Sequence, residues 1–281
     1  MSKLDYNFTK FFYIEDEVLY QLKDSATRWL ITVPENTQRA QRAAVKSNTM
    51  KEIFVFGEAD GFLPFRTLME DEGAFYSAPV NVDCAESIAL LMYSSGTTGL
   101  PKGVMLTPRN LVAVMEVMKL LGSAIKSKDN TPILGATNEV VLGVMPFYHV
   151  SGLNASVISS LMTGSAVAVL PRFRPRLFLA TIEKYKIKKL SLVPPLVLFL
   201  AKHPLVDKYD LSHIQLITCG AAPLSKELAE TVINRLGGKA QLNLFQAYGM
   251  TETTLATHVM MNTASDKYNS VGELMCNLEC K

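Results

Sequence analysis

The stretch LMYSSGTTGLPKGVMLT, residues 91–107, decides the fold class. Two apolar runs flank a segment of small, hydroxyl-bearing and turn-forming residues, which indicates a buried strand that enters a tight loop. Glycines and short side chains let a backbone approach an anion closely, and backbone N–H groups, hydroxyls and Lys102 can then surround phosphate oxygens. The stretch therefore predicts a phosphate-binding loop and disfavours an ordinary surface turn.

The loop does not fit the Walker A motif, which requires the pattern G-x-x-x-x-G-K-[ST]. Counted from Gly96, Pro101 stands where that pattern needs a glycine, and Gly103 stands where it needs Ser or Thr. The loop is therefore of another type. Its candidate phosphate contacts are Ser94, Ser95, Gly96, Thr97, Thr98, Gly99 and Lys102.

Outside the loop, short apolar runs alternate with segments that suit helices. The candidate strands are residues 29–33, 53–56, 88–93, 140–145, 166–170, 190–193 and 214–218. The candidate helices are residues 108–121, 153–162, 175–185, 196–203 and 225–236. Continuous apolar strands that alternate with helices predict an α/β fold, with layers of parallel sheet covered by helices.

Domain organisation follows from the same alternation. The first 27 residues are aromatic and acidic and do not follow it, so we predict an atypical N-terminal extension over residues 1–27. Residues 28–281 continue as one α/β region. We find no internal repeat and no low-complexity linker that would divide it further.

Composition and charge exclude several classes of protein. The chain of 281 residues is 48% hydrophobic and 19% charged, which excludes an intrinsically disordered chain. Its net charge of +2 gives no electrostatic argument for binding nucleic acid or an anionic membrane. The uncharged stretch 140–170 is interrupted by Pro146, Gly152 and Gly164, so it predicts a buried strand–helix–strand unit and no membrane span.

The cysteines and the termini bear on the cellular compartment. Four cysteines are too sparse for a disulfide framework, and Cys276 and Cys280 form a single C-x3-C pair, so we expect reduced thiols and no zinc site. The N-terminus lacks the long apolar run of a secretory signal. We predict a cytoplasmic protein. The C-terminal NLECK is not a peroxisomal tripeptide, although a peroxisomal parent enzyme stays an open alternative.

Three further blocks contain residues that suit ligand binding. MPFYHVSGL carries His149, CGAAPL joins a strand to a helix through small residues, and QAYGMTE combines an aromatic ring, a hydroxyl and a carboxylate. An aromatic face suits stacking, a hydroxyl suits a phosphate oxygen, and a carboxylate suits a hard cation. Taken alone, the blocks also suit a packed histidine, an ordinary turn and a helix start with its carboxylate near the dipole.

The order of these blocks resembles that of the adenylate-forming enzymes. SSGTTGLPKGV is similar to their phosphate-binding signature, and QAYGMTE is similar to their second specific signature. The superfamily includes acyl-CoA synthetases, 4-coumarate–CoA ligases, firefly luciferase and the adenylation domains of peptide synthetases. The resemblance covers residues 29–281 and implies that they form part of the large N-terminal AMP-binding domain.

The resemblance implies a role for each matching residue. Tyr248 would lie against the adenine ring, the Thr251 hydroxyl would contact the α-phosphate, and Glu252 would bind Mg2+. The implied catalytic residues are Lys102, His149, Thr251 and Glu252. The implied nucleotide contacts, besides the loop, are Gly220, Ala221, Ala222, Gln246, Ala247, Tyr248, Gly249 and Thr251. The implied acyl contacts are His149, Ser151, Gly220 and Leu255.

The resemblance also implies a reaction. In these enzymes a carboxylate attacks the α-phosphate of MgATP to give acyl-AMP and pyrophosphate, and a thiol then displaces AMP. The implied cofactors are ATP, Mg2+ and coenzyme A, and the implied partner is a small carboxylic acid. Small and apolar residues in the acyl blocks favour an aromatic or fatty acid. Arg172, Arg174 and Arg176 lie where some relatives contact CoA phosphates, although a solvated loop explains them equally well.

The resemblance further implies that the chain is truncated at both ends relative to these enzymes. SVGELM, residues 270–275, is similar to the block before a Thr-Gly-Asp motif that holds ribose, and the small C-terminal domain with its catalytic lysine is absent. We therefore expect an impaired ligase. One alternative is a non-catalytic fragment that binds adenylates or a partner, such as a full-length relative. A weaker alternative is an amino-acid adenylation domain.

Overall fold

The computed structural model describes residues 6–8, 14–70, 73, 81–94, 99–124, 139–237, 242–260 and 270–281. The chain divides into two compact units, Met1–Pro108 and Arg109–Lys281. The boundary that the sequence predicts after residue 27 falls within the first unit and stays a prediction.

The first unit contains two three-stranded sheets and two α-helices among its described residues. Its strands are β1 (Tyr6–Phe8), β2 (Trp29–Thr32), β3 (Glu52–Val55), β4 (Leu63–Pro64), β5 (Leu90–Ser94) and β6 (Lys102–Leu106). Its helices are α1 (Glu15–Asp24) and α2 (Thr37–Ser47). One sheet, β2-β3-β4, is parallel throughout. In the other, β1-β5-β6, β1 runs parallel to β5, and β6 runs antiparallel to it.

Charge and small side chains explain the two helices of this unit. The first turn of α1 is acidic, which suits the positive end of the helix dipole. Within that turn, the Glu17 carboxylate accepts a hydrogen bond of 2.8 Å from the backbone N–H of Ile14. Ala43 of α2 is fully buried and packs with Val18 and Leu22 of α1. A small residue therefore lets the two helices approach closely.

The second unit is built on a five-stranded sheet of order β13-β12-β11-β10-β9. Its strands, with a separate parallel pair of β7 and β8, are β7 (Val140–Gly143), β8 (Ala166–Val169), β9 (Lys189–Leu192), β10 (Leu216–Cys219), β11 (Asn243–Gly249), β12 (Ala256–Val259) and β13 (Glu273–Leu274). β9, β10 and β11 are parallel, whereas β12 and β13 continue the sheet in antiparallel fashion. The parallel part of the sheet therefore ends at β11.

The helices of this unit cover the sheet. They are α3 (Pro108–Ala124), α4 (Val150–Gly152), α5 (Ser159–Thr163), α6 (Pro175–Lys184), α7 (Pro194–Lys202) and α8 (Lys226–Arg235), and a π-helical turn, Leu153–Ile158, joins α4 to α5. Prolines begin α6 and α7, where the missing N–H group has no intrahelical partner to lose. The Ser225 hydroxyl accepts a hydrogen bond from the backbone N–H of Leu228 and caps α8.

The main core of the second unit lies between the parallel strands and the helices α6, α7 and α8. Phe178, Leu200, Ile217 and Val232 are fully buried there. Burial of large apolar side chains is the dominant stabilising contribution to such a fold. The core therefore gives the carboxyl ends of β9, β10 and β11 a rigid support.

The predicted α/β class is confirmed, and every candidate strand and helix overlaps an observed one. The stretch 140–170 forms β7, a helical segment and β8, as predicted. Among the helices that the structure describes, none combines the length and apolar character needed to cross a bilayer. All four cysteines are free of disulfide bonds, as expected. The sequence did not predict α2, β11 or β12.

Candidate functional site

The predicted phosphate-binding loop connects two paired strands of the first unit. β5 and β6 pair in antiparallel fashion, with Ser94 opposite Lys102. Ser94 is half-buried, Lys102 is exposed, and Gly99 has a φ of +85°, which favours glycine. The predicted contacts Ser95, Gly96, Thr97 and Thr98 lie outside the described residues.

Helix α1 holds the base of this hairpin. The Tyr20 hydroxyl donates to the backbone oxygen of Pro101 at 3.0 Å, and the Tyr93 hydroxyl donates to the Asp24 carboxylate at 2.5 Å. A Cβ atom on Gly103 would lie 3.2 Å from the Tyr93 ring, so glycine leaves room for this ring. These contacts were not predicted, because the partners lie 81 and 69 residues apart in the chain.

The Tyr93–Asp24 pair should make stability depend on alkaline pH. Burial and the hydrogen bond to Asp24 raise the pKa of Tyr93 above its usual range. The contribution to stability is therefore present below pH 10, the ordinary pKa of tyrosine, and declines above it. We expect Tyr93→Phe to lower the free energy of unfolding at pH 8 by about 1 kcal/mol and to flatten its decline above pH 10. Urea titrations at pH 8 and 10.5 measure both effects, and an equally steep decline in the variant would contradict the assignment.

In the second unit, the predicted small-residue block follows the carboxyl end of β10. Cys219, its last residue, lies opposite Leu192 of β9 and Gln246 of β11. Burial raises the pKa of the Cys219 thiol to about 12, so the thiol stays protonated and packs as an apolar side chain. The backbone N–H of Gly220 donates to the oxygen of Leu192 at 3.2 Å. Ligands commonly bind beyond this end of parallel strands.

The turn after Gly220 exposes its backbone. Ala221 has a φ of +71°, in the left-handed region, and Ala221 and Ala222 are both exposed. A Cβ atom on Gly220 would lie 3.2 Å from the oxygen of Ala247, so the turn packs closely against β11. The small residue at position 220 therefore allows this close packing, whereas the contact of residues 220–222 with a nucleotide stays a prediction.

Gln246 joins this turn to β11. Its side chain is 4% exposed, accepts a hydrogen bond from the backbone N–H of Leu224 at 2.9 Å and donates one to the oxygen of Leu224 at 3.2 Å. The sequence predicted a nucleotide contact for Gln246. In the structure its amide is used to hold the small-residue turn in place.

Beyond Gln246, the end of β11 becomes exposed. Tyr248 is 48% exposed, and its ring centroid lies 6.2 Å from that of His258 on β12. The pairing with β12 shifts between Tyr248 and Gly249. A Cβ atom on Gly249 would lie 1.9 Å from the backbone oxygen of Leu255, so only glycine fits there. This close approach starts the turn that follows.

That turn, residues 250–255, presents a hydroxyl and a carboxylate. It contains a short 3-10 helix, Thr251–Thr253, and is closed by a hydrogen bond of 3.1 Å from the Met250 N–H to the Leu255 oxygen. Thr251 is buried, whereas Glu252 is exposed. Thr254 ends the turn in the left-handed region, with a φ of 68°. We call residues 250–255 the phosphate turn.

The donor set of the phosphate turn fits Mg2+. Glu252 offers a hard oxygen ligand, and proteins often bind Mg2+ through one or two carboxylates, with substrate phosphates and water completing the octahedron. No cluster of three or more His, Cys, Asp or Glu side chains that could hold a metal ion occurs in the described ranges. Glu252 is thus the candidate metal ligand of this turn.

The predicted acyl block begins the helical segment of residues 150–163. His149 caps α4: its Nδ1 atom accepts the backbone N–H of Ser151 at 3.2 Å and lies 2.8 Å from the Ser151 hydroxyl. A neutral His149 ring therefore carries its proton on Nε2. A Cβ atom on Gly152 would lie 2.1 Å from the oxygen of Pro146, which requires glycine. His149 is exposed and Leu255 is half-buried.

One prediction about basic residues stays open, and one hydrogen bond was not predicted. Arg172, Arg174 and Arg176, for which two explanations were open, are all exposed before and at the start of α6. The hydrogen bond between Asn154 and Thr254 was missed altogether. Its signal in the sequence was an amide near the start of a helical run of apolar and small residues, where such a residue is disfavoured unless it has a partner.

The sequence and the fold both have known relatives. The profile of the AMP-binding enzyme family matches residues 9–281. The chain is 34% identical over 275 residues to 4-coumarate–CoA ligase 3 of Arabidopsis thaliana. This match covers 96% of the chain and 47% of the relative. It is 38% identical over 229 residues to 4-coumarate–CoA ligase 2 of Oryza sativa subsp. japonica, covering 79% of the chain and 38% of the relative.

Solved structures with a similar fold include a luciferase and a CoA ligase. A red-emitting luciferase from Phrixothrix hirtus matches 90% of the chain and 47% of its own length with 28% identity and a TM-score of 0.75. A long-chain-fatty-acid–CoA ligase from Archaeoglobus fulgidus matches 94% of the chain and 50% of its own length, with 24% identity and a TM-score of 0.76, and supports the fold alone. The chain spans about half the length of the curated 4-coumarate–CoA ligases that match nearly all of it. Because the family profile matches almost the whole chain, the chain belongs to the AMP-binding enzyme family.

Proposed function

We propose that this chain carries the adenylate-binding part of an acid–CoA ligase. The observation that carries the proposal is the end of β11, where the exposed Tyr248 ring is followed by a turn that bears Thr251 and Glu252. An aromatic face, a hydroxyl and a carboxylate in this order suit adenine, an α-phosphate and a phosphate-bound metal ion. Relatives named 4-coumarate–CoA ligases support the same chemistry.

The proposed reaction has two steps. A carboxylate oxygen of the acid bonds to the α-phosphorus of ATP, and the bond from that phosphorus to the oxygen bridging to the β-phosphate breaks, releasing pyrophosphate. The sulfur of coenzyme A then bonds to the acyl carbon of acyl-AMP, its thiol proton is lost, and AMP leaves. Positioning of the reactants and neutralisation of phosphate charge supply most of the catalysis in such transfers.

We assign the residues as follows. The Thr251 hydroxyl donates to an α-phosphate oxygen, and Glu252 would hold Mg2+, which supplies positive charge to the phosphates when bound. The exposed backbone of residues 220–222 borders the adenylate, and Lys102 on the hairpin contacts the β- and γ-phosphates. His149, Ser151 and Leu255 border the acyl group. The small Ser151 and the apolar Leu255 favour an aromatic or fatty acid. The relatives named 4-coumarate–CoA ligases support an aromatic one.

A second candidate function is binding without turnover. The residues that favour adenylate binding at the end of β11 and after β10 do not by themselves supply a full ligase, and the chain spans 47% of the first relative. Such a protein would hold acyl-adenylates, or associate with a full-length relative. The four free thiols favour a reducing, cytoplasmic setting for either function.

The test is a calorimetric titration with a non-hydrolysable acyl-adenylate mimic. We expect saturable binding by the wild-type chain and a loss of about 10- to 100-fold in affinity for Thr251→Ala, because a hydroxyl–phosphate hydrogen bond is charge-assisted. Thr231→Ala is the matched control, since this exposed hydroxyl bonds only within α8 to the oxygen of Glu227. A well-folded wild-type chain that does not bind would overturn the proposal.

Turnover separates the two candidate functions. Pyrophosphate release with a panel of cinnamic, benzoic and fatty acids, measured on the same preparation, reports the first step alone. Release above the rate without acid supports the ligase, and binding of the mimic without release supports the non-catalytic fragment. Co-purification of a full-length relative would indicate that the non-catalytic fragment acts by binding a partner.

A further inference from the structure

One buried hydrogen bond joins the helical segment after His149 to the phosphate turn. The Nδ2 atom of Asn154 donates to the backbone oxygen of Thr254 at 2.6 Å, and the partners are 100 residues apart in the chain. Asn154 is 0% exposed and lies in the π-helical turn Leu153–Ile158. A loop is therefore tied to a helix that lies far from it in sequence.

Asn154 is an unfavourable choice for packing alone. Its Oδ1 atom is buried and has no hydrogen-bond partner within the part of the chain that the structure describes. A buried polar atom without a partner loses its hydration and gains nothing in return. The amide group cannot be turned over, because Oδ1 would then face the Thr254 oxygen, and two acceptors repel. A leucine of similar size would fill the space without this penalty.

Thr254 is also in an unfavourable state. Its φ of 68° and ψ of −21° lie in the left-handed region, which a β-branched residue rarely adopts. Such a backbone conformation persists only where the surroundings hold it, and it occurs frequently at functional sites. The residue with the orphaned amide oxygen and the strained threonine are therefore partners in one hydrogen bond, which runs from Nδ2 of Asn154 to the oxygen of Thr254.

Several other bonds of the phosphate turn lie within the turn and set its shape. Met250 bonds to Leu255, and the Thr254 N–H donates to the Thr251 oxygen at 3.0 Å, all within the turn itself. The Asn154 bond reaches outside the turn to the helical segment. The beginning of that segment is itself fixed, because the Gly152 backbone lies directly against the Pro146 carbonyl.

We propose that Asn154 is a positioning residue that holds the phosphate turn in register with the acyl block. Its bond makes the segment after His149 and the turn with Thr251 and Glu252 one rigid frame for an acyl-adenylate. The inference rests on the proposed function for the identity of the ligand. The fixed position of the turn itself can be measured without any ligand.

The first test uses Asn154→Leu, which keeps the number and branching of the side-chain heavy atoms and removes both the donor and the orphaned oxygen. We expect about tenfold weaker binding of the acyl-adenylate mimic, the equivalent of one lost hydrogen bond, with a shift in Tm of less than about 4 °C. Affinity measured well below Tm is not moved by a loss of global stability, because the chain stays folded. Without ligand, amide exchange at residues 251–255 should accelerate about tenfold, and exchange at β10 should not change.

The second test uses Asn154→Asp, whose protonated carboxyl can donate to Thr254 as the amide does. Burial should raise the pKa of this carboxyl well above its ordinary value. Below that pKa the donor is restored and affinity should approach that of wild type. Above it the carboxylate repels the Thr254 oxygen, and affinity should fall about tenfold or more. The pH profile of the wild-type chain, measured in parallel, is the reference.

Ser160→Ala is the matched control. Ser160 lies in the same helical segment and is buried, and among the described residues no hydrogen bond joins its side chain to the phosphate turn. The Ser160→Ala variant should bind the acyl-adenylate mimic as tightly as wild type and show the same amide exchange at residues 251–255. Unchanged exchange at residues 251–255 in Asn154→Leu, or unchanged affinity in both Asn154 variants, would overturn the inference. A wild-type chain that does not bind would instead overturn the proposed function, and exchange would still decide whether Asn154 fixes the turn.

Discussion

Gly249→Ala should unfold or displace the phosphate turn. The added methyl carbon would lie 1.9 Å from the backbone oxygen of Leu255 and 2.7 Å from the Cα atom of Ala256. Both obstacles are backbone, so no side chain can rotate away and β12 itself must move. We expect a loss of about 3 kcal/mol or more in the free energy of unfolding, at the upper end for overpacking, and no measurable binding of the acyl-adenylate mimic. Urea denaturation and calorimetry measure the two effects.

Gly220→Ala is the control for this prediction. Its Cβ atom would lie 3.2 Å from the oxygen of Ala247, a contact that a shift of a few tenths of an ångström relieves. We expect a loss of less than about 1 kcal/mol. Equal losses in the two variants would mean that the shift in pairing at Gly249 is not what requires glycine.

Gln246→Leu should release the small-residue turn from β11. The substitution keeps the side-chain volume but leaves the N–H and oxygen of Leu224 without their partner in a site where Leu224 is itself 2% exposed. Each unpaired backbone group costs about 1–3 kcal/mol. We therefore expect a loss of about 3 kcal/mol in the free energy of unfolding, measured by urea denaturation at pH 7.5.

Gln38→Leu, the same change at an exposed position of α2, is the control and should shift stability by less than about 0.5 kcal/mol. Gln246→Leu should also weaken binding of the mimic, although the glutamine need not touch it. A variant as stable as wild type would show that Leu224 finds other partners and that the Gln246 amide is not needed to hold the turn.

The sequence predicted those elements of the fold whose local pattern of apolar residues matches their burial in the folded chain. The strands that became β9 and β10 are continuous apolar runs, as buried parallel strands are. By contrast, β11 was missed because Gln246 interrupts its apolar run, although the residue is buried through its bonds to Leu224. Helix α2 was missed because its buried contact is Ala43, and alanine gives a weak periodic signal.

The candidate site was predictable only in its residue types. The motifs pointed to Thr251, Glu252 and Tyr248, and the structure puts these three on one strand end and its turn. What fixes them there was not predictable, because each fixing contact is long-range. Asn154 meets Thr254, and Tyr20 meets Pro101, across 100 and 81 residues of intervening chain. No periodicity or local propensity encodes such a pair.

The closure of the phosphate turn between β11 and β12 bears on the order of folding. The antiparallel strands β11 and β12 are joined by a short turn, so they lose little chain entropy on pairing, and such hairpins form within microseconds. The parallel strands β9, β10 and β11 can pair only after the chain between them, which contains α7 and α8, has crossed over. The β11–β12 hairpin should thus be protected in pulse-labelled refolding before β10 is, and simultaneous protection would contradict this order. The chemistry-bearing turn is then an early local structure onto which the long-range sheet assembles.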